Sequence, residues 1–254
     1  MTDAHFIVRD TKTELNEAIA GRLVIEIAGA QQARGIAHLV LTGGSMGGGA
    51  LVALRDICLA QHDAVNWSTV HFWWGDERFV ELGDHERNDT QARAALLDHV
   101  AVPAQNVHIM APSDGPSGDD VDGAAEAYSA ELARYASAGG AVPAFDVLML
   151  GVGPDAHVAS LFPHHPAQRV VDSSVIAVRD SPKPPPVRIS LSYPAIGAAR
   201  QVWLLVAGEE KAQAVEEACS PDANRWDYPA SGVRGAARTV WWLDNAAAAL
   251  LPQR

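Results

Sequence analysis

Apolar side chains recur every four positions at Leu15, Ile19, Leu23 and Ile27, the spacing that lines one face of a helix. Thr11 followed by Glu14 supplies a capping box for its start. Phe145–Leu150, continuous and apolar, reads as a central parallel strand buried on both faces, and His38–Thr42, Val70–Trp74 and Gln201–Val206 also read as strands. Shorter strands are expected at Val107–Met110, Val175–Val178, Val187–Leu191 and Thr239–Leu243. Helical patterns fall at Ala50–Leu59, Asn88–Leu97 with Asn88 as cap, Val121–Tyr135, Glu209–Ala218 and Asn245–Leu251. Gly43–Gly49 reads as a glycine-rich turn, while Ala111–Asp120 and the proline-stiffened Ser181–Pro186 read as loops.

Strands alternating with helices predict an α/β protein, a three-layer Rossmann-like fold with a largely parallel sheet. The alternation continues across both loops, so residues 1–254 are expected to form one domain. Hydrophobic residues make up 48% and charged residues 20%, a composition that supports a packed core. Nineteen cationic against 31 acidic side chains give a formal charge of −12, which argues against a nucleic-acid partner. An anionic ligand would then need a locally positive pocket. Cys58 and Cys219 lie too far apart for a metal or redox pair, and reduced thiols are expected. With no signal-peptide pattern and no apolar run of membrane-spanning length, a cytoplasmic protein without membrane partners is expected.

The segment from Leu148 to Pro163, LMLGVGPDAHVASLFP, carries the sharpest chemical signal. A buried strand ends in glycines and presents Asp155 and His157 on the following turn, with a short helix expected next. Ligands of open α/β sheets bind at such strand ends, and imidazole moves protons near neutral pH. After the first strand, GGSMGGG brings Gly44 and Ser45 to a helix start, where free amides and the helix dipole favour a phosphate. The same residues fit GxSxG, the nucleophile elbow of α/β-hydrolases, but only one clear strand precedes them. Asp76 and Arg78 stand at another strand's end, suited to sugar hydroxyls and to an anion respectively. Arg188 and Lys211 are further candidates for a cationic pocket. Asp84 and His85 have no second ligand pair, so no metal site is expected.

Gly43-Gly44-Ser45, Gly75-Asp76-Glu77-Arg78 with Asn88, GVGPDAHVASLFP, PPVRISLS and GEEK around Lys211 are together similar to the glucosamine-6-phosphate isomerase/6-phosphogluconolactonase family, on its lactonase side. The motifs are colinear from about residue 6 to residue 250. The resemblance implies a cofactor-free esterase that opens 6-phospho-D-glucono-1,5-lactone in the pentose phosphate pathway, acting as a monomer or weak homodimer. It implies His157 as general base and Asp155 as its carboxylate. It places Gly44, Ser45, Asp76, Arg78, Arg188 and Lys211 around the phosphate and sugar. Deaminase relatives carry a glutamate where this chain has Phe162, which counts against amino-sugar chemistry. A sugar-phosphate sensor without catalysis is the other alternative. One departure stands out: Ala156 occupies a position that is usually glycine in the family, and a left-handed backbone there would cost roughly 1 kcal/mol.

Overall fold

The computed structural model describes residues 4–61, 64–137 and 139–252. Strand β1 (His5–Arg9) leads into helix α1 (Lys12–Arg34), and Leu15, Ile19, Leu23 and Ile27 are all fully buried along it. Thr11 caps the helix by accepting the Glu14 N–H at 3.2 Å, and the Glu14 carboxylate accepts the Asp10 N–H at 3.2 Å. Gly35, at φ 75°, ends it in the left-handed conformation that glycine tolerates.

Strand β2 (Ala37–Leu41), helix α2 (Gly44–Ala60), strand β3 (Val70–Trp74), strand β4 (Asp76–Arg78) and helix α3 (Asn88–Ala95) follow. Helix α4 (Val121–Arg134) and strand β5 (Val147–Gly151) complete the first part of the chain. Beyond them lie β6 (Val175–Val178), β7 (Arg188–Leu191), α5 (Tyr193–Gly197), β8 (Gln201–Val206), α6 (Ala212–Cys219) and β9 (Arg238–Asp244).

Six strands pair in the order β1-β9-β8-β5-β2-β3, every neighbouring pair parallel. Each residue of β2 and β3 is buried, as a sheet covered on both faces requires. A second sheet, β4-β7-β6, is antiparallel and packs against α4. The chain leaving β2 passes to β3 on one side, while the chain leaving β5 passes to β8 on the other. This reversal opens a crevice beyond the carboxyl ends of β2 and β5. Among the described residues, no helix is long and apolar enough to cross a membrane.

Several local expectations are corrected. The glycine run is not a turn: α2 already begins at Gly44. A Cβ on Gly47 would lie 2.0 Å from the Thr42 carbonyl oxygen, and one on Gly49 would lie 2.3 Å from Asn16 of α1. These glycines permit close helix packing. Val107–Met110 forms only a single bridge to Phe72, too brief for a ladder. Asn245–Leu251 is a series of turns, a length below what helix nucleation sustains without packing. No helix follows His157; Val158 instead bridges to Val152 and Leu161. Asn88 is the first residue of α3, with Arg87 at the cap position, and its side chain bonds elsewhere. Strands β1 and β4 have no counterpart in the sequence reading.

Candidate active site

At the β2/β5 crevice lies a cavity of about 300 Å³. Gly44, Ser45, Asp76, Arg78, His157, Arg188 and Lys211 all line it, gathered from both sheets. Asp155 does not line it but stands behind the imidazole. Four cationic side chains (Arg78, Lys183, Arg188 and Lys211) face two acidic ones (Asp76 and Glu210), so a protein of net charge −12 keeps a cationic cavity.

His157 is carried by the turn that follows β5. Its Nδ1 lies 2.6 Å from Asp155 Oδ1. Gly153 makes this possible, because a Cβ there would fall 1.9 Å from Nδ1 and 2.4 Å from the carboxylate. Burial pushes the Asp155 carboxyl upward, but hydrogen bonds and charge from His157 and Lys183 outweigh it and hold the group well below its usual range. Asp155 is therefore an acceptor, and the shared proton belongs to Nδ1. That tautomer leaves the lone pair on Nε2, for which no protein partner exists among the described residues. Burial lowers the proton affinity of His157, only partly offset by Asp155, so the ring is neutral near pH 7. Phe162 packs against it with centroids 4.6 Å apart. Ala156 adopts φ 61° and is fully buried, so this alanine does sit in the left-handed region.

The opposite wall is built by α2 and the β4–α3 corner. Helix α2 begins at the cavity with Gly43 as cap residue, which has no side chain to cap its amides; the Gly44 N–H reaches Gln91 Oε1 at a long 3.4 Å. A Cβ on Gly43 would collide with Asn88 Oδ1 at 1.7 Å, so the absence of a side chain lets Asn88 close this corner. Asn88 donates to the Asp76 carbonyl at 2.8 Å and accepts from Arg78 Nη1 at 2.9 Å. Arg78 Nη1 also donates to the Glu86 carbonyl, while its buried Nε has no partner. Beneath them the buried Glu77 carboxylate accepts the N–H groups of Arg78, Asn88 and Asp89 at 2.8, 2.7 and 2.9 Å. Fully buried Arg87 bonds Asp89 at 2.6 Å and completes this foundation.

Two sequence candidates are more engaged than their types imply. Asp76 Oδ2 accepts the Ser160 hydroxyl at 2.7 Å, tying β4 to the turn after His157. Arg188 gives Nε to the Pro185 carbonyl at 3.1 Å and Nη2 to those of Lys183 and Pro184 at 3.2 and 3.0 Å. Lys183 itself is absent from the sequence candidates. Its Nζ lies 3.0 Å from Asp155 Oδ1 and 3.1 Å from His157 Nδ1. A lysine set among prolines, just before the strand that carries Arg188, was the available signal. His85 is exposed, 3.3 Å from Asp84, and outside the cavity lining.

A parallel sheet open at its strand-order reversal, with a helix start and a cation-lined cavity at that opening, defines a Rossmann-like α/β protein. The chain belongs to the family of glucosamine-6-phosphate isomerases/6-phosphogluconolactonase, whose pattern matches residues 10–242. It is 55% identical over 249 residues to a 6-phosphogluconolactonase of Streptomyces coelicolor, covering 97% of this chain and 94% of that one. Its fold superimposes on a 6-phosphogluconolactonase of Trypanosoma brucei with a TM-score of 0.84 at 29% identity, covering 98% of this chain and 99% of that one. A monomeric glucosamine-6-phosphate deaminase shares the fold, with a TM-score of 0.78 at 18% identity over 97% of this chain and 99% of that one.

Proposed function

We propose that this chain hydrolyses 6-phospho-D-glucono-1,5-lactone to 6-phosphogluconate, with His157 as general base. The observation that carries the mechanism is the 2.6 Å contact between His157 Nδ1 and Asp155, which leaves a neutral Nε2 as the ring's free basic atom at the cavity. The family membership and the name of the 55%-identical relative support the substrate.

The phosphate group binds at the start of α2 near Gly44 and Ser45, with Arg78 and Lys211 supplying cationic contacts and Arg188 a nearby charge. Held there, the ring places its C1 carbonyl near His157. Nε2 takes a proton as the water oxygen bonds to C1. The tetrahedral centre then collapses, the bond from C1 to the ring oxygen breaks, and the imidazolium returns its proton to that oxygen. The carboxylic acid formed ionises to solvent. A lactone is already electrophilic, so general-base assistance of about 10²–10⁴-fold together with positioning suffices for a useful rate. Ser45 needs no nucleophilic role, and among the described residues no hydrogen bond joins it to His157. Phe162 supplies no carboxylate where deaminase relatives carry one.

The test is alkali uptake at constant pH on freshly generated lactone. His157→Ala is expected to lose kcat by about 10²-fold or more while retaining affinity for 6-phosphogluconate. Hydrolysis by that variant at the unsubstituted rate would remove His157 from the mechanism.

A further inference from the structure

Lys183 reaches the Asp155–His157 pair from a different sheet and a distant stretch of chain. It belongs to the segment joining β6 to β7, strands that pair antiparallel from Val178 opposite Arg188. The segment is braced on both sides of the lysine. Ser181 Oγ donates to the Lys183 carbonyl at 2.9 Å and accepts its N–H at 3.3 Å, while Arg188 holds the carbonyls of residues 183, 184 and 185. A side chain with four rotatable carbons is thereby delivered to one place, and its ammonium lies within 3.1 Å of two atoms of the pair.

We infer that Lys183 is a positioning residue for the proposed hydrolysis: its ammonium anchors the Asp155 carboxylate against His157 Nδ1 and disfavours a lasting positive charge on the ring. With Nδ1 carrying the imidazole proton, the ammonium does not donate to that nitrogen. Asp155 Oδ1 accepts from both. When Nε2 takes the water proton, imidazolium and ammonium stand 3.1 Å apart and share one carboxylate oxygen. Their repulsion speeds delivery of the proton to the departing ring oxygen. Burial is the largest influence lowering the ring's proton affinity, and Lys183 adds to it. The other charges near the ring are Asp76 on β4, Lys211 with Glu210 across the cavity, and Arg188, whose guanidinium stands over the Phe162 ring at 5.7 Å. This assignment rests on the proposed function for its catalytic meaning.

The experiment compares the unsubstituted enzyme with Lys183→Met and Lys183→Arg. Imidazole nitrogen resonances of His157, assigned with His157→Gln, are followed against pH without substrate. The pH profile of kcat/KM and the separate kcat and KM for the lactone are recorded beside them. Removing the charge in Lys183→Met is expected to raise the His157 midpoint by about one pH unit, and the acid limb of kcat/KM with it. kcat at neutral pH is expected to fall about tenfold with KM little changed, and Lys183→Arg restores both midpoint and rate. The inference is overturned by a midpoint that stays or drops, by a loss borne in KM instead of kcat, or by failure of arginine to restore. A chain that hydrolyses no lactone at all defeats the proposed function alone. The substrate-free titration still decides whether Lys183 acts on the ring.

Discussion

Gly153 lies directly beneath His157, close enough that a single added carbon would occupy the space of Nδ1. The two residues sit on one turn, and the absence of a side chain at the first sets the place of the second. Gly153→Ala is therefore expected to displace the ring from Asp155 and lower kcat by at least about 100-fold, the lower range of a general base's contribution. Calorimetric affinity for 6-phosphogluconate should remain near that of the unsubstituted enzyme. A variant with full kcat would show that the ring's position is not limiting.

Activity should fall on the acid side as His157 gains its second proton. Burial and Lys183 oppose the protonated ring more than Asp155 favours it, so its midpoint lies below the ordinary value of 6.5. The kcat/KM profile is expected to be flat through neutrality and to lose rate only below that value. An acid limb centred above 6.5 contradicts the neutral-ring geometry.

Ala156→Gly brings three opposing effects. Relief of a left-handed alanine at φ 61° gains about 1–2 kcal/mol, whereas loss of a buried methyl costs about 0.8 and the freer unfolded chain about 0.4–1. Their near cancellation predicts a melting temperature within about 4 °C of the unsubstituted protein. It also explains why alanine is tolerated on this turn. A larger shift in calorimetry would mean that one contribution dominates.

Arg78 and Lys211 carry the proposed phosphate contacts. Each alanine variant is expected to weaken 6-phosphogluconate binding by roughly 10–100-fold, the equivalent of about 1.5–3 kcal/mol for a charged hydrogen bond. Added salt should weaken binding to the unsubstituted enzyme more than to either variant. Unchanged titrations for both variants would move the phosphate elsewhere.

A separate prediction concerns the other end of the central strands. His71 Nδ1 lies 2.9 Å from His108 Nε2, His108 Nδ1 lies 3.0 Å from Glu131, and Trp73 donates to His38 Nδ1 at 3.2 Å. Burial first, then the facing histidines, pushes His38 and His71 down to about 4. The unfolded chain takes these protons near 6.5 and the folded one resists them, so stability is complete above that value and declines as pH falls toward 4. The urea midpoint should drop across this interval, and His71→Phe should flatten the decline. An identical decline in that variant would assign it to other groups.

The parallel core was legible at β5, whose continuous apolar run reflects burial on both faces, with β2, β3 and β8 read as strands between helical patterns. His157 and Asp155 were legible for a related reason: glycines after a buried strand announce a turn at the sheet's open end. Gly47 and Gly49 misled, because what they satisfy is the approach of Thr42 and Asn16, and a long-range contact leaves no local mark. Lys183 was hidden similarly. Its segment reads as a proline spacer, and the carboxylate it meets lies 28 positions earlier. Strand β4 escaped because its three charged residues match no strand pattern; pairing with β7 alone makes them one.

The cavity is a seam between two separately hydrogen-bonded sheets, with the imidazole on the parallel one and Asp76, Arg78 and Arg188 on the antiparallel one. On the proposed reading each sheet supplies part of the anion-binding wall, with Gly44, Ser45 and Lys211 on the parallel side and Arg78 and Arg188 on the other. Because Asp76 binds Ser160 and Lys183 reaches Asp155 across that seam, a shift of the smaller sheet would be felt at the imidazole as well as at the anion-binding wall.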